Sequence, residues 1–411
     1  MPILTLSEFA EAIRPFAEAL MKFYWKPIRD YLDVYPVLAR TVPGFLVHPE
    51  KVIFYFGKTH LGIEYVGPER IDELPSSGFT VQFGAFDYTL SQEDFLEQII
   101  GFSYDDSSAQ IDLALPPLFE GLLWPTNSGL SKLDELNWHF DAQDFVMAIN
   151  TRSFSIPQGQ FCRIVNGLFF DADDSGLKTR HVKWLDLVPL MFYDDSGDRY
   201  DRFGISFAPY EKLVEADCNY IYPLPEDFKG EKLAQINRFI ELVANDKTTE
   251  LQMTRLLSEE RNNFILSMRF GAETVHSELA CEWQSEDRES IRPDFFVVQP
   301  NGYGDIVEFK LPKSDSSSVV GRANRETFSA VINSYVSQTR VYRAYFEDPN
   351  NRKWFESKYG FKVYKPKRIL VIGRRWHFPT EEWKEIASDY QDLDIITYDD
   401  LIDGVVAQFY M

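Results

Sequence analysis

Cysteine and histidine are both scarce in this chain, and together they remove several chemistries at once. Cys162, Cys218 and Cys281 stand far apart, with no C-x-x-C pair and no Cys/His cluster. That spacing argues against structural zinc and against a disulfide framework, and it fits a reducing, cytoplasmic setting. The six histidines are scattered and none is convincingly paired with a nucleophile, which leaves Ser–His or Cys–His catalysis without a base. No apolar run approaches the roughly 20 residues of a membrane-spanning helix. No charged-then-apolar leader opens the chain, so no membrane partner is expected. Internal repeats and low-complexity tracts are also missing. Positive charge is short: 42 Lys and Arg oppose 64 Asp and Glu, a net −22.

What is present is material for a core. Hydrophobic residues make up 45% of the chain and aromatics 15%, with 34 Phe and 21 Tyr, enough for an ordered protein. At 411 residues it exceeds the usual size of one core, so two or three domains are expected. Residues 5–40 read as helix, with Phe16, Leu20, Phe23, Tyr24 and Ile28 at helical spacing, a stripe that is ordinarily core. After Pro43-Gly44 short β-type runs follow: Lys51–Phe56, Gly62–Val66, Phe79–Phe83, Gln160–Val165 and Phe203–Phe207, with a helix at Gln92–Ile100. The acidic stretches Asp171–Gly176 and Asp194–Asp198 lack the full ligand pattern of a calcium loop and are read as turns. Residues 1–225 thus form an α+β region, helical over 1–42 and β-rich over 46–225, that discloses no function of its own. Residues 226–248 read as a linker and connecting helix, and 249–411 as a separate domain. There a helix over Thr249–Met268, a strand over 274–284, a hairpin, a helix over 324–346, and strands at Arg368–Gly373 and Asp394–Tyr398 flanking a helix at 380–390 imply a mixed, enclosed sheet.

The chemistry concentrates in the hairpin, residues 291–313. Asp294–Val298 and Asp305–Leu311 are apolar strands, and Asn301-Gly302 between them supplies turn chemistry. A turn centred there sets Asp294 across from residues 308–310. Side chains alternate along a strand, so Glu308 and Lys310 share a face. An ionised carboxylate within such an apolar strand is costly unless it is paired or bound to a metal. A plain Glu–Lys pair would satisfy it. Two hard oxygen ligands at that edge suit Mg²⁺, with Mn²⁺ as a substitute, and the lysine suits an attacking water. On the following helix, Gln338 and Tyr342 lie four residues apart on one face.

Pro293-Asp294…Glu308-x-Lys310 resembles the PD-(D/E)-x-K nuclease motif, whose restriction-endonuclease-like core is αβββαβ. Gln338-Thr339-Arg340-Val341-Tyr342 looks like the Q-x-x-x-Y element of its phage-exonuclease and RecB-like branch. Arg292-Pro293-Asp294, Glu308-Phe309-Lys310 and Gln338…Tyr342 together resemble the C-terminal nuclease domain of the Shedu anti-phage proteins. The resemblance implies metal-dependent cleavage of double-stranded DNA, with Asp294 and Glu308 on the metal and Lys310, Gln338 and Tyr342 completing the catalytic set. It also implies a homo-oligomer, with a tetramer favoured, and control by the N-terminal region. A repair or restriction nuclease of the same fold, and a silent DNA-end or protein-binding module, are the alternatives. Glu259 or Glu260 could add a metal ligand, although a solvated helix face suits them better.

Charge distribution tempers the acidic total. Residues 1–250 hold 21 basic and 39 acidic side chains (21 − 39 = −18), leaving 21 and 25 (21 − 25 = −4) for 251–411. Between 352 and 375, nine basic residues face only Glu356 in sequence. Lys365, Lys367 and Arg368 are therefore the expected DNA contacts.

Overall fold

The computed structural model describes residues 6–71, 80–88, 103–105, 118–121, 123–138, 155–157, 159–193, 202–222, 228–285, 287–312, 318–322, 325–378, 380–390 and 392–408. The chain divides into two compact units, 1–132 with 147–231 and 133–146 with 232–411. The helix expected at Gln92–Ile100, the acidic stretch Asp194–Asp198 and residues 226–227 of the expected linker lie outside the described residues.

In the first unit the helix expected over 5–40 is segmented. Leu6–Leu20 (α1) and Lys26–Val34 (α2) flank a π-helical turn at Met21–Trp25, and a 3₁₀ turn follows at Pro36–Arg40. Pro27 sits in the first turn of α2, where its missing N–H costs nothing. Leu20, Tyr24, Ile28 and Leu32 are buried, so the aromatic and aliphatic stripe is core. It packs against an eight-stranded sheet. The strands are Lys51–Phe56 (β1), His60–Val66 (β2), Gln82–Asp87 (β3), Leu118–Glu120 (β4), Leu123–Pro125 (β5), Cys162–Asp173 (β6), Gly176–Tyr193 (β7) and Arg202–Ile205 (β8). They run β3-β1-β2-β7-β6-β4, with β8 also on β7 and β5 also on β6. Helix α3 (Ala208–Cys218) adds Tyr210 and Leu213 to the same core. Within it Arg163 is buried against Asp186 and Asp217, and the Tyr24 hydroxyl donates to Asp217 at 2.6 Å. The turn between β6 and β7 is an acidic turn, as its sequence suggests: Asp173 accepts from Ser175 and pairs with Lys178.

The main segment of the second unit begins at Lys232, within α4 (Phe228–Ala244). The helix expected over 249–268 is two helices. Glu250–Ser258 (α5) opens on a capping box, in which the Thr249 hydroxyl accepts from Gln252 N–H and the Gln252 side chain accepts from Thr249 N–H. Glu259, with ψ 130°, ends it, and Phe264–Phe270 (α6) follows after a 3₁₀ turn. The sheet consists of Thr274–Ser277 (β9), Phe295–Val298 (β10), Gly304–Phe309 (β11), Arg368–Val371 (β12) and Leu393–Ile396 (β13), side by side in that order. The first three are antiparallel to one another, and β11, β12 and β13 are parallel. The strand expected over 274–284 ends at Ser277, where Glu278 takes φ +50, and pairing resumes only as a bridge from Cys281 to Ile291. The helix expected over 324–346 is Ala330–Glu347 (α7), and Pro349–Tyr359 (α8) follows it. Phe296 and Ile306 pack with Tyr342, Tyr345, Phe346 and Phe355 of these helices on one face. Phe295 and Phe309 point the other way, and Phe309 meets Tyr398 on α9 (Tyr398–Gln408). A core covering both faces explains why β10 and β11 are apolar without alternation.

One feature of the division was not legible in sequence. The segment that includes Leu133–Trp138 belongs to the second unit, and Trp138 is buried there against the guanidinium of Arg374, 4.3 Å from its ring centre.

Candidate active site

The hairpin turn falls at 299–303, where Gly302 takes φ +79 and its N–H donates to Gln299 O at 2.8 Å. That turn fixes the register: Phe295 pairs with Val307 and Val298 with Gly304. One step beyond the ladder, Asp294 stands opposite Glu308. Its Oδ2 accepts the Phe309 N–H at 2.7 Å, which locks the carboxylate against β11. Glu308 and Lys310 do share a face. Lys310 Nζ donates to Glu308 Oε1 at 2.9 Å, and the two side chains are 7% and 2% exposed.

Helix α7 brings the polar pair to the same oxygen. Gln338 Nε2 donates to Glu308 Oε1 at 2.8 Å and to the Tyr342 hydroxyl at 3.1 Å. Asp294, Glu308, Lys310, Gln338 and Tyr342 therefore form one cluster, assembled from β10, β11 and α7. Lys310 is held from two further sides. Its Nζ donates to Glu250 Oε1 at 3.1 Å and lies 5.6 Å from the Tyr335 ring centre, while its carbonyl accepts from the Tyr398 hydroxyl at 2.7 Å.

The electrostatics follow from crowding a half-buried acid, Asp294, against a buried one, Glu308. Burial and the charge of Glu308 push Asp294 up to about 7. Burial also raises Glu308, with Lys310 acting against it. Burial works against the Lys310 charge, but Glu308 and Glu250 more than offset this, and its pKa lies above the usual lysine value. Burial and the charge of Glu308 raise the Tyr342 phenol, which stays protonated. Glu308 Oε2 is buried and has no hydrogen-bond partner. An anionic oxygen in that position is costly, and a cation beside it would relieve both the orphaned oxygen and the repulsion with Asp294. Mg²⁺ is commonly held by one or two carboxylates, with waters and substrate phosphate supplying the rest. Asp294 and Glu308 fit that requirement. Among the described residues, no group of three or more His, Cys, Asp or Glu side chains is placed to hold a metal unaided. An open cavity of about 280 Å³ borders Asp294, with Thr254, Arg255, Ser258, Ser277 and Glu278 in its wall.

Of the three expected DNA contacts, Arg368 is placed where a phosphate does not reach it. Arg368 is 4% exposed and donates to Thr339 Oγ1 at 3.1 Å and to Asp392 at 2.8 Å. It is a buried tie between β12 and its surroundings, closed to a phosphate. Lys367 pairs with Asp394 at 2.6 Å, and Lys365, at φ +46, is exposed. Both precede β12 at the end where the Lys367 N–H meets Asp305. Lys310 leaves β11 at the other end, about 16 Å away at about 3.3 Å per residue. The nearer cations are paired too: Arg374 with Asp399, and Arg375 with Asp400 and Asp403.

Glu250 is the site residue that sequence reasoning missed. Glu259 and Glu260 drew attention instead, yet Glu259 pairs with Arg261 on an exposed surface. The signal was available: Thr249-x-x-Gln252 marks the start of a helix and places Glu250 at its first position. The three thiols play no part, since Cys162, Cys218 and Cys281 are all buried.

Residues 240–402 match the family described as Shedu protein SduA, C-terminal. Over that span the second unit is similar to the Shedu SduA C-terminal domain. The matched span contains all five clustered residues and Glu250, and it leaves the first unit outside. No curated protein matches the chain. Among the described residues, no helix of either unit is long and apolar enough to cross a membrane.

Proposed function

We propose that the chain is a metal-dependent DNA endonuclease or nickase of the PD-(D/E)-x-K type that acts in defence against phage. The observation that carries this reading is the convergence of a buried carboxylate, Glu308, with an orphaned oxygen, a half-buried one, Asp294, and a buried ammonium within the span that matches the Shedu model. The order of helix, three antiparallel strands, helix pair and parallel strand supports the αβββαβ core. Asp294 and Glu308 would hold Mg²⁺, or Mn²⁺ in its place; when bound, the ion supplies Lewis acidity and a bound water of lowered pKa. Lys310, braced between Glu308 and Glu250, would orient the attacking water and offset charge developing at phosphorus. Gln338 fixes Glu308, and Tyr342 fixes Gln338, so neither needs to reorganise during reaction. The acidic N-terminal region would control which DNA reaches this site, and assembly as a homo-oligomer, a tetramer on the resemblance, would set active sites in pairs.

Incubation of the full chain with supercoiled, linear and gapped DNA in Mg²⁺ or Mn²⁺, against EDTA, tests the chemistry. Metal-dependent nicking or cutting is expected, together with reduced phage plating in cells expressing the chain. Retained DNA binding without cleavage under any of these conditions would instead support a silent binding module. Cleavage without protection from phage would point to a repair or restriction enzyme of the same fold.

A further inference from the structure

Immediately beyond Lys310 the chain enters the wall of a second cavity that the cluster above does not use. It encloses about 490 Å³ and is bordered by Leu311, Pro312, Asn137, Asn245, Trp376 and His377, with Glu135 and Asp246 also on its lining. Trp376 is 54% exposed, unusual for so large an apolar ring. It is not loose. The Arg374 guanidinium lies 4.1 Å from its ring centre on one side and 4.3 Å from that of buried Trp138 on the other. Arg374 is itself fixed by two bonds to Asp399, at 2.9 and 3.0 Å, and one to Asn137 O at 2.8 Å. The Arg374 cation thus braces the indole, and Trp376 stands in the cavity wall as an exposed aromatic held in place.

We propose that this cavity is a nucleobase-binding site. A planar base stacks on an exposed indole irrespective of its identity. Asn245 Oδ1 and His377 Nδ1 already accept from the Lys247 and Arg374 N–H groups, which leaves the Asn245 NH₂, His377 Nε2 and the Asn137 amide to meet the edge of a base, and the negative charge of Glu135 and Asp246 disfavours a phosphate lodged within. The volume exceeds what one base fills, leaving room for its sugar. Because Leu311 and Pro312 directly follow Lys310, a base held here lies next to the strand that carries the cluster. The base comes either from substrate DNA, unpaired beside the scissile position, or from a free nucleotide. The first source rests on the nuclease reading; the second does not.

Binding measured in EDTA separates the proposal from catalysis. The full chain and its Trp376→Ala and Trp376→Phe variants are titrated with AMP, GMP, CMP and TMP. They are also titrated with duplexes of equal length that carry one unpaired nucleotide or an abasic residue at that place. A DNA source predicts that the unpaired base tightens binding over the abasic duplex by about 5-fold or more. Trp376→Ala should erase that difference and Trp376→Phe should retain most of it. A nucleotide source predicts saturable mononucleotide binding with the same dependence on the ring at 376. Equal binding of unpaired-base and abasic duplexes by the wild-type chain, with no mononucleotide bound, would overturn the proposal. So would base-dependent binding that persists unchanged in a folded Trp376→Ala protein. A chain that binds the base and never cuts would refute the nuclease reading and leave this site standing.

Discussion

Glu308 receives two hydrogen bonds on Oε1 and none on Oε2, so its two oxygens have different work. The first is a structural acceptor for Lys310 and Gln338; the second is left for something the chain does not supply. Asp294→Asn, Glu308→Gln and Lys310→Ala are each expected to lower nicking by about 100-fold or more while far-UV circular dichroism stays unchanged. Near-wild-type nicking by any of them would remove that residue from the catalytic set. Gln338→Ala should act indirectly. It frees the Glu308 carboxylate to rotate, so the Mg²⁺ concentration giving half-maximal nicking should rise by about 10-fold or more; an unchanged metal requirement would limit Gln338 to packing. The raised pKa of Asp294 adds a dependence on pH. Its native value is about 7, against about 3.9 in an unfolded chain. Between those values the native state holds more protons than the unfolded state, so stability falls as pH rises from about 4 to about 7. In EDTA the urea midpoint should be lower at about pH 8 than at about pH 5, and Asp294→Asn should flatten that slope. Mg²⁺ should restore more stability at the higher pH, where it meets two ionised carboxylates.

The elements show why some of this was legible in sequence and some was not. The hairpin read well because its information is local: Asn301-Gly302 fixes the turn, the turn fixes the register, and the register sets Asp294 beside Glu308. Gln338 and Tyr342 read well because four residues make one helical turn. The basic stretch read badly for the converse reason, since its partners are distant in sequence. Arg368 finds Asp392, Lys367 finds Asp394, Lys358 finds Glu282, and Arg374 finds Asp399. A local count of charges does not reveal pairs formed across strands. The breaks at Glu259 and Ser277 were missed as well, because neither carries a Pro or Gly to announce it. The Arg374–Asp399 pair is buried on both sides, at 4% and 3% exposure, and removing one partner strands a charge. Arg374→Ala should therefore destabilise the fold by about 3–5 kcal/mol, read as a lower urea midpoint at unchanged slope. Lys365→Glu, on an exposed position, should leave the midpoint unaltered within about 0.5 kcal/mol. A large loss at Lys365 or none at Arg374 would contradict the assignment of one as surface and the other as a tie.

For the whole molecule, the proposed nuclease activity raises the question of what would restrain it. Residues 1–250 carry −18, by the same count of 21 basic and 39 acidic side chains, and at that charge they should repel DNA that arrives without a compensating contact. If the N-terminal region gates the site, a chain beginning at residue 226 should cut generic duplex DNA faster than the full protein and be more toxic in cells. If it only recruits, basal cutting should be equal and target preference lost. The division into units complicates that comparison in a definite way. Trp138, which stacks on Arg374, belongs to the second unit yet precedes residue 226, so the shortened chain loses a core side chain along with any gate. Deleting a buried tryptophan from its packing costs about 3–5 kcal/mol, enough to lower activity and hide a gain. The full chain carrying Trp138→Ala is the nearest single-residue control, since it loses the same tryptophan with the N-terminal region still attached. Gating predicts that the shortened chain cuts generic duplex faster than this control, whatever its rank against the unmodified protein. Equal rates for the two folded, metal-binding proteins would leave the acidic region a recruiter, and the repulsion carried by its charge without effect on access.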